Sequence, residues 1–109
     1  MDIKALRTEV VKEAEAQRDR LIELSRNIHA NPELGFNETK AAGWLMEFLS
    51  EMGFAIEAGI CGLSTAFRGK YGHGKPVIAI LAEYDALPEL GHACGHNIIA
   101  TSAVGAASA

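Results

Sequence analysis

The sequence of 109 residues is poor in cysteine, proline and aromatic side chains, and it carries no surplus of positive charge. Its two cysteines, Cys61 and Cys94, are too few for the disulfide framework of a small secreted domain. No apolar run approaches the roughly 20 residues that cross a bilayer, and the charged N-terminus has no apolar signal-peptide core. The formal net charge of −4 disfavours nucleic acid or an anionic membrane as the main partner. These absences predict a cytoplasmic protein.

The remaining composition is that of an ordinary folded protein. Hydrophobic residues make up 49% of the chain and charged residues 22%, and the length suffices for one hydrophobic core. No internal repeat or low-complexity linker divides it. We therefore expect residues 1–109 to form one unit with no second domain.

Periodicity predicts helices at both ends of the chain. Residues 2–30 read as one long amphipathic helix, because apolar side chains recur at helical spacing between charges. Pro32 and Gly35 end it, and Asn37 is a candidate N-cap for a second helix reaching about Met52. The alanine-rich residues 98–109 predict a third helix. The buried stripe predicted for the second helix consists of Trp44, Leu45, Phe48 and Leu49.

The period changes between these helices. The segments "FAIEAGI" and "LSTAFRG" are short, β-prone and flanked by glycine. "PVIAILAEY" is an almost unbroken apolar run, which is typical of a central strand buried on both faces. The order helix, helix, strand, strand, strand, loop, helix predicts an α/β fold with a mixed sheet.

Residues with ligand chemistry follow the strongest predicted strand, in "LAEYDALPELGHACGHN". Sites in open α/β sheets collect at the carboxyl ends of strands. Cys94 and His96 carry a soft thiolate and an imidazole, good ligands for zinc or a similar divalent ion, and Gly95 between them lets the backbone bend. His92 is a candidate third ligand or outer lining residue. Asn97 is a candidate cap for the following helix.

Two acidic residues precede the loop. Glu83 and Asp85 are two apart, so on a strand they would face the same side. A carboxylate at this position has two possible roles. It can bind a metal ion directly, or it can accept a hydrogen bond from a ligating histidine and so fix the tautomer of that histidine. The competing interpretations are a buried cysteine that only fills space, a solvated turn carboxylate, and a cysteine–histidine nucleophile.

The string "AEYDALPELGHACGHN" resembles the signature of the aminoacylase and amidohydrolase branch of the two-metal zinc metallopeptidases. Within that branch it is most similar to aminobenzoyl-glutamate utilization proteins and small dipeptidases. "IHANPELGFNETKAA" resembles the N-terminal block of the same family, and "GLSTAFRG" resembles its second strand. The resemblance covers nearly the whole chain, with the blocks in the same order.

The resemblance implies the N-terminal part of a mixed-sheet catalytic α/β domain. It implies hydrolysis of amide bonds in N-acyl amino acids or short dipeptides, with two divalent ions, zinc or manganese, as cofactors. Cys94 and His96 would be metal ligands, and Asp85 would be the catalytic-site acid that orients the ligand shell. Glu83 and His92 would line the site or lie outside the first layer of ligands.

The resemblance also implies that part of the machinery is missing. Relatives of this family are several times longer and carry a glutamate pair, further histidine ligands and a dimerisation insertion downstream of this motif. We therefore expect an N-terminal segment that is inactive or nearly so by itself, with weak metal binding. The alternative is a non-catalytic module that associates with itself through an exposed sheet edge.

Overall fold

The computed structural model describes all 109 residues and contains four α-helices, a two-stranded antiparallel sheet and one short 3-10 turn. The combination of helices and sheet confirms the predicted α/β class. The elements are, in chain order, α1 (Ile3–Ala16), α2 (Arg18–Ala30), α3 (Thr39–Glu51), β1 (Ala55–Ala58), the 3-10 turn (Ile60–Gly62), β2 (Phe67–Lys70) and α4 (His96–Ser108).

The single helix predicted over residues 2–30 is divided at Gln17 into α1 and α2. Gln17 has φ −96° and ψ 4°, and its N–H bonds to the carbonyl of Ala14, at 3.2 Å. No residue of α1 is buried, whereas α2 buries Leu24 and Ile28. Helical periodicity therefore identified the helical residues but not the break between two helices, because neither proline nor glycine marks it.

The hydrophobic core lies between α2, α3 and α4. Three of the predicted stripe residues of α3 are buried there, and Trp44 packs against the core as a partly buried side chain. Since helices of this length are marginal on their own, this shared apolar contact is what holds them together. The buried cluster consists of Leu24, Ile28, Ala41, Leu45, Phe48, Leu49, Ala100 and Val104.

The N-terminus of α3 is capped by Glu33 rather than by the predicted Asn37. The Glu33 carboxylate accepts hydrogen bonds from the backbone N–H of Ala41 at 2.9 Å, the N–H of Lys40 at 3.0 Å and the hydroxyl of Thr39 at 3.1 Å. Burial acts to raise the pKa of Glu33, but these hydrogen bonds and the Lys40 charge outweigh it, and the pKa lies below its ordinary value. The sequence does not predict this cap, because Glu33 lies six residues before the first residue of α3 and thus outside the usual capping positions.

Strands β1 and β2 form the sheet. Ala55 pairs with Lys70 and Ala58 with Phe67, in antiparallel register. The 3-10 turn and Gly59, at φ +68°, lie in the connection between the strands. The paired strands correspond to the first two predicted strands.

The third predicted strand differs from expectation. Residues 76–84 form no ladder with any other segment, and Val77, Ile78 and Leu81 are 84%, 82% and 84% exposed. A strand depends on a hydrogen-bonded neighbour, and no backbone hydrogen bond joins this run to another segment of the chain. The observed sheet is therefore antiparallel rather than mixed. The one parallel bridge pairs Leu34 with Ala86, just beyond the run.

None of the four helices combines the length and the apolar character needed to span a bilayer.

Candidate functional site

The loop that carries the candidate residues is anchored at both ends. At its start, the N–H of Ala86 donates to the carbonyl of Glu33 at 2.8 Å, and Ala86 is buried. Leu87 and Gly91 then exchange two backbone hydrogen bonds across a tight turn. At its end, Gly95 adopts φ +74° and starts α4, a conformation that side chains rarely tolerate. The loop thus delivers His96 to the first position of α4.

Asp85 and His96 are brought together by this arrangement. Nδ1 of His96 lies 2.8 Å from the Asp85 carboxylate and 3.0 Å from the Asp85 backbone carbonyl. Both partners are acceptors, so a neutral imidazole carries its proton on Nδ1 and donates it to Asp85. The lone pair then resides on Nε2, which is the arrangement in which a histidine binds a metal ion.

Cys94 is an exposed, free thiol two residues before His96. It makes no hydrogen bond to a histidine, because His96 bonds Asp85 and both ring nitrogens of His92 have no partner. The rival cysteine–histidine nucleophile therefore lacks its defining contact in this arrangement. Glu83 is exposed on the unpaired run, and Cys61 is likewise a free, exposed thiol.

His92 is buried beneath the loop, with 9% of its surface exposed. Its ring centroid lies 6.4 Å from that of His29 on α2. Burial, followed by the charges of His29 and His96, holds the pKa of His92 below its ordinary value of 6.5. The structure thus places His92 as a packing residue at the base of the loop, with its nitrogens turned away from solvent.

Asn97 does not cap α4, contrary to the prediction. It is the second residue of the helix, and Gly95 occupies the N-cap position. Its Nδ2 instead donates to the hydroxyl of Ser25 on α2, at 3.1 Å. Asn97 therefore ties the first turn of α4 to the neighbouring helix through its amide nitrogen, whereas its Oδ1 is buried without a hydrogen-bond partner.

A cavity of about 290 Å³ opens beside Asp85, between the start of α3 and the connection that precedes β2. Thr65 joins its walls, since its hydroxyl donates to Glu38 at 3.3 Å and its carbonyl accepts from the hydroxyl of Tyr84. Sequence analysis missed Glu38, Thr65 and Tyr84. They are separated by 27 and 19 residues, and no local spacing signals a contact over that distance.

The candidate ligands have the right chemistry for a divalent metal ion, but they are too few to hold one. A thiol and a carboxylate-held imidazole are suitable ligands for zinc, yet no three His, Cys, Asp or Glu side chains of the chain converge as an ion would require. A catalytic zinc ion takes three protein ligands, so these residues alone could supply only part of a coordination shell.

Comparisons with known proteins agree with the motif. No family model matches the chain. One component of the p-aminobenzoyl-glutamate hydrolase of Escherichia coli (strain K12) is 37% identical over 112 residues, covering 87% of this chain and 23% of that protein. The Xaa-Arg dipeptidase of Mus musculus is 37% identical over 117 residues, covering 97% and 27%. The N-acetyldiaminopimelate deacetylase of Oenococcus oeni is 34% identical over 106 residues, covering 80% and 28%.

By sequence, the chain belongs to the amidohydrolase and peptidase family that these proteins represent. This confirms the resemblance drawn from the motifs. The chain spans about a quarter of the length of the curated relatives it matches.

Proposed function

We propose that this chain is part of a metal-dependent amidohydrolase that cleaves the amide bond of N-acyl amino acids or short dipeptides. Cys94 and His96 supply two ligands to a divalent ion, zinc or manganese, and Asp85 orients the His96 ring. The observation that carries the proposal is the 2.8 Å contact between the Asp85 carboxylate and Nδ1 of His96. Relatives named for hydrolysis of p-aminobenzoyl-glutamate and of Xaa-Arg dipeptides support the reaction class.

Each residue has a defined part in this proposal. When bound, two divalent ions polarise the amide carbonyl and activate a water molecule. Asp85 keeps the His96 proton on Nδ1, so that Nε2 stays available as a ligand. Glu83 and His92 lie outside the ligand set, Glu83 in solvent and His92 packed beneath the loop.

We infer that the chain alone binds metal weakly and hydrolyses substrate little, if at all. Two ligands leave most of the coordination shell to water, and affinity falls with each missing ligand. The full reaction then depends on residues contributed from outside these 109. We further propose a cytoplasmic location, in keeping with the scarcity of cysteine.

The experiment compares matched variants of the purified chain. Zinc and manganese affinities are measured by competition with a chromophoric chelator for the chain, Cys94→Ser and His96→Ala. Cys61→Ser and His73→Ala are the controls, because both side chains are exposed and lie elsewhere in the sequence. We expect the first pair to lose metal binding and the controls to retain it; equal affinities in all variants would reject the site.

Activity is measured in parallel on N-acyl amino acids and dipeptides with each metal. We expect turnover to be absent or far below ordinary enzyme rates of about 1–1000 per second. Ordinary turnover that persists through repeated purification would contradict the inference that the ligand set is incomplete.

A second candidate, a self-associating module, is favoured by one observation. The side chains of Val77, Ile78, Ile80 and Leu81 are 84%, 82%, 51% and 84% exposed on a run with free backbone edges. Such a segment pairs readily with another strand. Sedimentation of the chain and of an Ile78→Lys variant tests it: dimers that the substitution abolishes support the module, and a monomer at all concentrations rejects it.

A further inference from the structure

We propose that the cavity beside Asp85 binds a positively charged group carried on an apolar stem, such as the side chain of arginine or lysine. The claim that this group belongs to the substrate rests on the proposed function. The cavity has a volume of about 290 Å³, which is close to the lower end, about 300 Å³, of the range for small-molecule binding sites. Phe36, Leu63 and Tyr84 give the cavity apolar surface. Glu38, Thr65 and Asp85 give it polar groups.

The charge of the cavity selects a cation. None of its lining residues is basic, and two of them are carboxylates. Asp85 is engaged with His96, but Glu38 forms none of the ion pairs of the chain and accepts only the Thr65 hydroxyl, at 3.3 Å. A half-buried carboxylate with one neutral partner retains the capacity to bind a cation, which a guanidinium or ammonium would use.

Aromatic rings flank this carboxylate. The Tyr84 ring is held in place, because its hydroxyl donates to the Thr65 carbonyl and its face stacks on Phe67 at 5.9 Å. The phenol is neutral at physiological pH, as it would be at its ordinary pKa of 10, and burial, followed by the charge of Glu38, raises the pKa of Tyr84 to about 12. A neutral aromatic face attracts a cation and covers an aliphatic stem.

Phe36 lies at the rim of the same cavity. It adopts φ +71°, a conformation that bulky side chains rarely take, and 74% of its surface is exposed. An exposed ring at the rim of an acidic cavity fits a ligand with an apolar stem.

The cavity also lies against Asp85, the residue that holds a candidate metal ligand. Asp85 lines the cavity while its Oδ1 holds His96. A side chain seated between Glu38 and Tyr84 would therefore be adjacent to the residues proposed to hold the metal ion. The cavity would then select substrates by side-chain charge.

The test uses two probes of nearly equal size and shape, one positively charged and one neutral. The ¹⁵N-labelled chain is titrated, without metal, with Nα-acetyl-arginine amide and with its neutral isostere Nα-acetyl-citrulline amide. We expect the arginine probe to shift the amide signals of Gly35, Thr65 and Ala66, and the citrulline probe to bind at least about tenfold more weakly. Equal affinities, shifts confined to other residues, or no shift at the highest soluble concentration would overturn the proposal.

Two variants complete the test. Glu38→Gln keeps an acceptor for Thr65 but removes the charge, and we expect it to weaken the arginine probe about tenfold. Glu15→Gln on exposed α1 removes a carboxylate outside the cavity and should change nothing. An unchanged affinity in Glu38→Gln rejects the cavity as a cation site. Since no metal is present, that failure leaves the Cys94 and His96 proposal standing, and loss of the metal site leaves the binding result standing.

Discussion

Asn97 on α4 and Ser25 on α2 are joined side chain to side chain, with Nδ2 of Asn97 3.1 Å from the serine hydroxyl. We predict that Asn97→Ala lowers the free energy of unfolding by about 1–2 kcal/mol, because a partly buried hydrogen bond is lost between two core helices. Urea denaturation of Asn97→Ala, Ser25→Ala and the double variant measures the interaction. A coupling energy of about 1 kcal/mol is expected, and strict additivity would show that the bond contributes nothing.

The Glu33 cap gives a second prediction. Glu33→Ala should lower the free energy of unfolding by about 1–2 kcal/mol, since three donors at the start of α3 lose their acceptor. Asn37→Ala is the matched control, because Asn37 makes no cap despite standing near the same helix end. Denaturation curves that place both variants at the same stability would contradict the assignment.

The same carboxylate makes stability depend on pH. The pKa of Glu33 is lowered in the folded chain, so its contribution is present above the ordinary value of 4.5 and is lost as the pH falls through the folded pKa. We expect the stability difference between the chain and Glu33→Gln to be largest near neutrality and to shrink below pH 4.5. Denaturation at a series of pH values measures it. A difference that stays constant down to acid pH would exclude this linkage.

Two helical glycines differ in the space around them. A Cβ placed on Gly43 would meet nothing within 4 Å, whereas one on Gly105 would lie 3.0 Å from Cδ1 of Leu21. Gly43→Ala should therefore stabilise the chain by about 0.5–1 kcal/mol through helix propensity. Gly105→Ala should gain less or destabilise, because α2 and α4 approach each other there. Thermal unfolding of both variants measures the difference in stability. An equal stabilisation by the two substitutions would show that Leu21 moves aside without a loss of stability.

Tyr84 supplies a prediction at high pH. Its pKa of about 12 exceeds the ordinary value of 10, so the folded state holds the neutral phenol and loses stability as the pH rises from 10 towards 12. Ultraviolet titration should show one tyrosine ionising near pH 12, and Tyr84→Phe should remove that step. A late step that survives in Tyr84→Phe would contradict the assignment.

Asp85 gives the last prediction, which concerns the metal ion. Asp85→Ala should weaken metal binding by about 10- to 100-fold, because the His96 ring loses the carboxylate that holds its tautomer. Asp85→Asn should lose less, since its amide oxygen still accepts from Nδ1. Glu89→Gln, on the exposed turn, is the control. Equal affinities across the series, measured by chelator competition, would remove Asp85 from the site.

The sequence alone predicts the elements whose signals are local. The buried stripe of α3 follows from helical periodicity, and the paired strands follow from β-prone segments between glycines. The sequence predicts part of the Asp85–His96 contact, because the family resemblance implies that Asp85 orients the ligands. The structure adds the atoms involved.

The wrong predictions for Asn97 and for residues 76–84 have one physical cause. The local sequence does not show whether a segment finds a partner elsewhere in the chain, or which partner it finds. Asn97 has the chemistry of a cap, but Ser25 is 72 residues away and engages its amide. The apolar run of residues 76–84 has the composition of a buried strand, but no strand of this chain pairs with it, and Val77, Ile78 and Leu81 stay exposed. Periodicity reports what a segment prefers and not which surface meets it.

Glu33 has one further consequence. Its side chain holds the first turn of α3, and its backbone carbonyl receives the N–H of Ala86, the residue next to Asp85. Melting of that helical turn would release the carboxylate and loosen the strand-like contact that positions the loop. The position of the Asp85 loop and the start of α3 are thereby coupled through a single amino acid, and protonation of Glu33 below pH 4.5 would relax both at once.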